Sequence, residues 1–319
     1  MKLKSMVKSM TKVGLGLVMA GTVMVSCSDD DDNQMEVSSN QTIASIVTST
    51  PAFSTLSQAV TKAGLGATLN GNGEFTVFAP NNAAFEASGI TNATLASLTA
   101  EQTKDILLYH TLASKVASSA VPAGPNAKVT TAQGDAVYVT KDTRGVFVNG
   151  WKVNQADIMA SNGVIHAIER VLIPASGNVV ETAQGNENLS YLVAAVVRAS
   201  QGNTNVANVL ASTEGLTVFA PTNQAFINAG FPTISSIQAA DPEVLTSILT
   251  YHVVGARAFS SDLSNNQTLG TVQGGNLVVN IGNQVTIKGR ANASASVVLA
   301  PNTLATNGVI HVIDQVLLP

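Results

Sequence analysis

Phe75-Thr76-Val77-Phe78-Ala79-Pro80 occurs a second time, almost unchanged, as Leu216-Thr217-Val218-Phe219-Ala220-Pro221. Two more markers return in the same order. Tyr109-His110 comes back as Tyr251-His252, and Asn162-Gly163-Val164-Ile165-His166 as Asn307-Gly308-Val309-Ile310-His311. The offsets are 141 residues (75 to 216), 142 (109 to 251) and 145 (162 to 307). Such a period exceeds the ~20–50 residues of stacking repeats and suits a complete domain of ordinary size. The 319-residue chain therefore reads as a tandem pair, residues 40–175 and 176–319.

Each copy opens with helical spacing of apolar residues. Ile43, Ile46, Val47, Phe53, Leu56 and Val60 form two short helices separated by Pro51. Leu189, Leu192, Val193, Val196 and Val197 form one apolar stripe in the second copy. The Thr-Val-Phe-Ala-Pro run is β-branched and aromatic and ends on proline, as a strand should. Thr99-Ala100-Glu101-Gln102 predicts a capping box, and Asp241-Pro242 an N-cap with proline at the first helical position. Each following helix ends on the Tyr-His pair. The rest is strand-like: 137–140, 145–148, 277–279, 284–287 and the closing Gly-Val-Ile-His segments. Helices first and strands after predict an α+β domain.

These three landmarks, in this order, resemble the fasciclin (FAS1) domain family. Thr-Val-Phe-Ala-Pro resembles its first conserved box, Tyr109-His110 and Tyr251-His252 its Tyr-His motif, and Asn-Gly-Val-Ile-His…Leu-Pro its second box. The resemblance runs from about Thr42 to Pro174 and again from about Val179 to Pro319. It implies two tandem wedges of twisted β-strands flanked by short helices. It also implies extracellular adhesion or matrix binding, with no shared enzymatic activity.

The start of the chain reads as an address. Lys2, Lys4, Lys8 and Lys12 precede an apolar run from Val13 to Val25, too short for a spanning helix of ~20 residues. Residues 1–26 are expected to be a signal peptide. Met24-Val25-Ser26-Cys27 resembles the bacterial lipoprotein signal, which implies that Cys27, the chain's one cysteine, is lipidated. Residues 27–39, with Asp29 to Asp32, would then be an acidic tether. That tether resembles those of lipoproteins displayed on the outer membrane of Gram-negative bacteria, so cell-surface exposure is expected.

Residues 1–27 hold four lysines and no acid, so without them the formal charge falls from −4 to −8. An acidic chain without a basic stripe is a poor partner for nucleic acid. Gly-x-Ser-x-Gly, His-Glu-x-x-His and Gly-Lys-Ser/Thr phosphate-loop motifs do not occur, so no catalytic residue is assigned. His110, His252, His166 and His311 sit in apolar segments. Each copy has only two, with no cysteine beside them, whereas zinc takes three or four ligands. A structural role is expected for them and for Tyr109 and Tyr251, with no metal and no cofactor.

Asp157-Ile158 resembles the Asp-Ile element through which some animal fasciclin domains meet integrins. Its counterpart in the second copy begins at Asn302, where the acid is lost. The alternative is that Asp157 caps a turn and Ile158 packs. Sugar faces stack on aromatic rings, which makes Trp151, Tyr138 and Tyr191 candidates. Two readings follow: a surface-anchored, non-enzymatic adhesion module contacting matrix protein, polysaccharide or other cells, or a glycan- or small-ligand-binding lipoprotein. The first expects a contiguous apolar face, the second a concave pocket with convergent polar groups. Residues 175–178 lack apolar periodicity, so few contacts are expected to cross between the copies.

Overall fold

The two boxes that recur in the sequence are paired strands in space. In a computed structural model, which describes residues 40–319, the first repeat has strands β1 (Phe75–Pro80), β2 (Thr111–Leu112), β3 (Gly124–Thr130), β4 (Ala136–Asp142), β5 (Gly145–Val148), β6 (Trp151–Ala160) and β7 (Gly163–Ile168). The second has β8 (Leu216–Pro221), β9 (Val253–Val254), β10 (Thr268–Gly270), β11 (Asn276–Ile281), β12 (Val285–Lys288), β13 (Ser296–Ala305) and β14 (Gly308–Ile313). The sheet orders are β2-β1-β7-β6-β5-β4-β3 and β10-β11-β12-β13-β14-β8-β9, mirror listings of one topology. The first box lies parallel to the second, Phe75 opposite Gly163 and Leu216 opposite Gly308. All other pairings are antiparallel. The expected signal peptide, the tether and Cys27 lie outside the described residues.

β1 and β7 are buried on both faces, which is why their sequences are near-continuous apolar runs rather than alternating ones. Successive side chains serve different cores. Val77, Ala79, Ile165 and Ala167 face a core shared with the helices, while Phe78 and Ile168 face a core built by the strands. The second repeat divides in the same way, Val218 and Ala220 on the helical side and Phe219 opposite.

The helices are short and held by side-chain caps. Thr99 and Gln102 close a reciprocal capping box before Ala100–Tyr109, and Asp241 caps Pro242–Tyr251. Ile43–Ser49 and Ser54–Lys62 flank a single 3₁₀ turn that begins at Pro51. In Ser190–Ala199 the buried face is Leu192, Ala195, Val196 and Ala199; Val197, expected in the stripe, points away and is exposed. Its position, five residues past Leu192, falls on the far side of a 3.6-residue helix.

The asparagine of the second box is a staple. Asn162 Oδ1 accepts from Ile43 N (2.9 Å), and its Nδ2 donates to the carbonyls of Leu69 and Gly71. Asn307 likewise accepts from Val179 N and donates to Leu210 O and Thr213 O. One buried amide thus ties the first helix, the approach to the first box and the second box together.

The expectation of few contacts between the copies is corrected. The described residues 40–319 fall in one compact unit, and side chains cross between the repeats. Phe259, fully buried, lies 5.9 Å from the Tyr138 ring, and the Arg257 guanidinium sits 4.3 Å over that ring. Thr140 Oγ1 donates to Asp262 Oδ1 (2.8 Å), Asn126 Nδ2 to Arg257 O (2.8 Å) and Arg144 to Ser261 O. Gly150, at φ +80°, is where the second repeat meets backbone: a Cβ there would lie 2.6 Å from Asn302 Nδ2. The contact joins unlike surfaces. The outer face of β4–β5 in the first repeat carries Tyr138, Thr140 and Phe147, whereas the matching face of β11–β12 carries Val278, Asn280 and Thr286. Where the second repeat has Phe259 and Asp262, the first has Ala117 and Ala120. Each repeat thus carries only one half of the junction: the first has the face of Tyr138, Thr140 and Phe147, and the second has Phe259 and Asp262.

Candidate functional site

Each Tyr-His motif closes its helix and divides its two side chains between the two cores. Tyr109 Oη donates to Ala136 O (2.9 Å) and accepts from Asn149 Nδ2, while Tyr251 Oη donates to Asn276 O (2.6 Å) and accepts from Arg290 N. Burial pushes the Tyr109 phenol well up. His110 Nδ1 donates to Ile106 O, and its Nε2 accepts from Leu172 N (2.8 Å each). His252 repeats this with Ile248 O and Leu317 N, again at 2.8 Å. The imidazole thus ties the helix end to the Val-Leu-x-Pro tail that follows the last strand.

His166 and His311 use the opposite tautomer. Their Nδ1 atoms accept from Asp157 N (3.1 Å) and Asn302 N (3.3 Å), and their Nε2 atoms donate to Val116 O and Ala258 O. All eight ring nitrogens are therefore engaged with backbone. Burial lowers the pKa of His110, His252 and His311 to about 4 each. Among the described residues no group of three or more His, Cys, Asp or Glu is placed to hold a metal.

Asp157 and Asn302 occupy the same bulge, with φ +60° and +66°. Asp157 Oδ1 accepts from Ser118 N (2.8 Å) and Oδ2 from the Ser118 hydroxyl. Partial burial pushes its carboxyl up, but the Ser118 donors and the Lys141 ammonium outweigh this and hold it below the usual carboxylate value. Asn302 accepts from Ser260 N (2.7 Å) and donates to Ser260 Oγ. The amide replaces the acid in the same capping task. Ile158 is buried against the helical core. Of the two readings of Asp157-Ile158, the geometry matches the second: the acid caps a turn and the aliphatic chain packs, which leaves Ile158 unsuited to a surface contact.

The three aromatic candidates separate. Tyr138 is taken up by the contact with Arg257 and Phe259. Tyr191 packs 6.5 Å from Phe226 and donates to Pro232 O. Trp151 lines an open cleft of about 530 Å³ between the repeats, within the range of small-ligand pockets. One wall is β6 with the tail Arg170–Ser176, the other the bulged stretch Leu299–Leu304 of β13. Arg170 Cζ lies 5.1 Å from the Trp151 ring centroid. It is the one charged side chain among the lining residues. Ile173 and Leu299, 52% and 55% exposed, stand at the cleft as uncovered aliphatic groups.

Sequence reasoning found Trp151 but missed Arg170 and the opposing wall. A signal was present in the difference between the copies. At the 145-residue offset Trp151 becomes Ser296 and Arg170 becomes Gln315, so the pair changes together.

The Fasciclin domain model matches residues 51–174 and again 188–319. The chain belongs to the fasciclin domain family. It contains two tandem fasciclin domains of mixed α and β structure, each a curled sheet with flanking helices. It is 30% identical over 256 residues to transforming growth factor-beta-induced protein ig-h3 of Oryctolagus cuniculus, covering 79% of this chain and 35% of that protein. A single fasciclin domain's length, 145 residues or 44% of this chain, is 38% identical to Protein sll1483 of Synechocystis and covers 73% of it. Among solved structures, the FAS1 domain pair of the insect cell adhesion molecule Fasciclin I aligns at 21% identity with a TM-score of 0.40, covering 84% of this chain and 97% of that one. The chain spans about a third of the length of ig-h3.

Proposed function

We propose that this fasciclin pair is a non-enzymatic adhesion module, anchored to the outer membrane through Cys27 and displayed at the cell surface, where it holds an extracellular polysaccharide or protein. The observation that carries this reading is the junction. Two fasciclin domains are locked into one unit by a contact specific to the pair, and the locking creates a cleft that neither domain has alone. The histidines, which would be the natural acid–base groups, are committed to backbone hydrogen bonds on both ring nitrogens. The cleft also supports the ligand-binding reading, because it is concave and combines an indole, a cation and hydroxyl groups. The two readings converge if adhesion works by capture of a chain segment in that cleft.

Cells carrying the wild-type chain should attach to immobilised extracellular matrix material, and cells carrying Cys27→Ser should release the protein and lose attachment. Protease added outside should remove the protein and the attachment together. Equal attachment by cells lacking the protein would overturn the adhesion reading, and full protection from protease would place the chain on the inner side of the membrane.

A further inference from the structure

We infer that the inter-repeat cleft is a binding site for an acidic glycan, with Arg170 receiving a uronate-type carboxylate. This rests on the adhesion reading above and names the ligand chemistry of the same site.

The chain is net acidic, yet the cleft has one cation and no carboxylate among its lining residues. A guanidinium lying on an indole is held by the ring and keeps its edge free to present donors, the geometry that suits bidentate binding of a planar carboxylate. Its intramolecular acceptor here is the neighbouring Glu169 carbonyl, at 3.3 Å. The same cleft is lined by Ser176, Thr182 and Thr303, whose hydroxyl chemistry suits sugar hydroxyls, and by Ile173 and Leu299, whose aliphatic chains suit sugar C–H faces.

The shape argues against a peptide. A helix needs a long apolar groove, and this cleft is mixed polar and apolar. Its volume suits a short run of sugar units rather than a folded partner. The second repeat, with Ser296 and Gln315 at the matching positions, carries no counterpart, so one site per chain is expected.

Trp151 is the one tryptophan of the chain, so its fluorescence reports on this site alone. The full chain is titrated with oligogalacturonate, with neutral malto-oligosaccharide of equal length and with oligoglutamate. A saturable change with oligogalacturonate is expected, at least about tenfold tighter than with the neutral oligomer and weakened by salt. Arg170→Gln should weaken it about tenfold or more with an unchanged thermal melt, while Lys288→Gln, on β12 and not among the cleft residues, should bind as wild type. A partial response from Arg170→Lys would separate charge from bidentate geometry. Absence of any response to oligogalacturonate, or an equal response in Arg170→Gln, would overturn the assignment. Preference for oligoglutamate would replace the glycan with an acidic peptide. Attachment of cells that persists while this titration fails would sink the glycan site and leave the adhesion reading standing.

Discussion

Acidification from pH 6.5 to pH 4 should remove most of the folding stability. His110, His252 and His311 are buried and neutral, with pKa values lowered to about 4 in the fold, against ~6.5 in an unfolded chain. Between those values the unfolded chain binds protons that the folded one refuses. Stability is therefore complete above about pH 6.5 and falls as pH drops toward 4. Each unit of pKa difference is worth about 1.4 kcal/mol, so each histidine contributes on the order of 3 kcal/mol across the window. His252 and His311 act together in the second domain, on the order of 6 kcal/mol, which is comparable to a domain's stability of ~5–15 kcal/mol. Protonation would also set a new N–H against Leu172 N–H at His110 and against Leu317 N–H at His252. Denaturant melts at half-unit steps from pH 7.5 to 4 test this; a free energy of unfolding that stays level from pH 7 to pH 5 would contradict it.

Gly163→Ala is expected to be the most damaging single methyl addition in the chain. A Cβ at this position would lie 2.0 Å from Phe75 O and 2.9 Å from Ile43 Cδ1, on a backbone at φ +153°. The clash falls on the main chain of β1, which cannot rotate aside. Relief requires parting β1 from β7, the two strands that carry both family boxes. A loss above ~4 kcal/mol places the substitution in the extreme tail for single changes. Gly308→Ala, whose Cβ would meet Leu216 O at 2.7 Å, should do less, and Gly282→Ala, with nothing within 4 Å, should stay within ~0.5 kcal/mol. If Gly163→Ala melts beside Gly282→Ala, the close parallel pairing is wrong.

The fold was legible because its determinants are local. The strand composition of Thr-Val-Phe-Ala-Pro, the capping box at Thr99 and the Asp241-Pro242 start are short-range signals, and each appears where expected. The duplication made them readable twice. The roles of Asn162 and Asn307 were not legible, since an amide bridging segments more than 90 residues apart leaves no periodicity. Asp157 was legible only as a choice between a contact element and a turn cap, because the bulge that turns its acid onto Ser118 depends on register, which is set only when β6 pairs with β7. The junction was half visible: Tyr138, Thr140 and Phe147 differ from Val278, Asn280 and Thr286, but the difference gains meaning only once these residues share a sheet face.

The two fasciclin domains should melt as one body, which calorimetry of the full chain beside its separated halves, 40–175 and 176–319, can decide. Each half has its own helical and strand cores and should fold. Separating them uncovers Phe259, whose burial is worth ~1.5–3 kcal/mol, and breaks the Arg257–Tyr138 contact, worth ~0.5–2 kcal/mol. The account predicts one cooperative transition for the full chain, above the melting temperatures of both halves, and two resolved transitions in Phe259→Ser. A wild-type chain that melts in two steps coinciding with those of its isolated halves would contradict it.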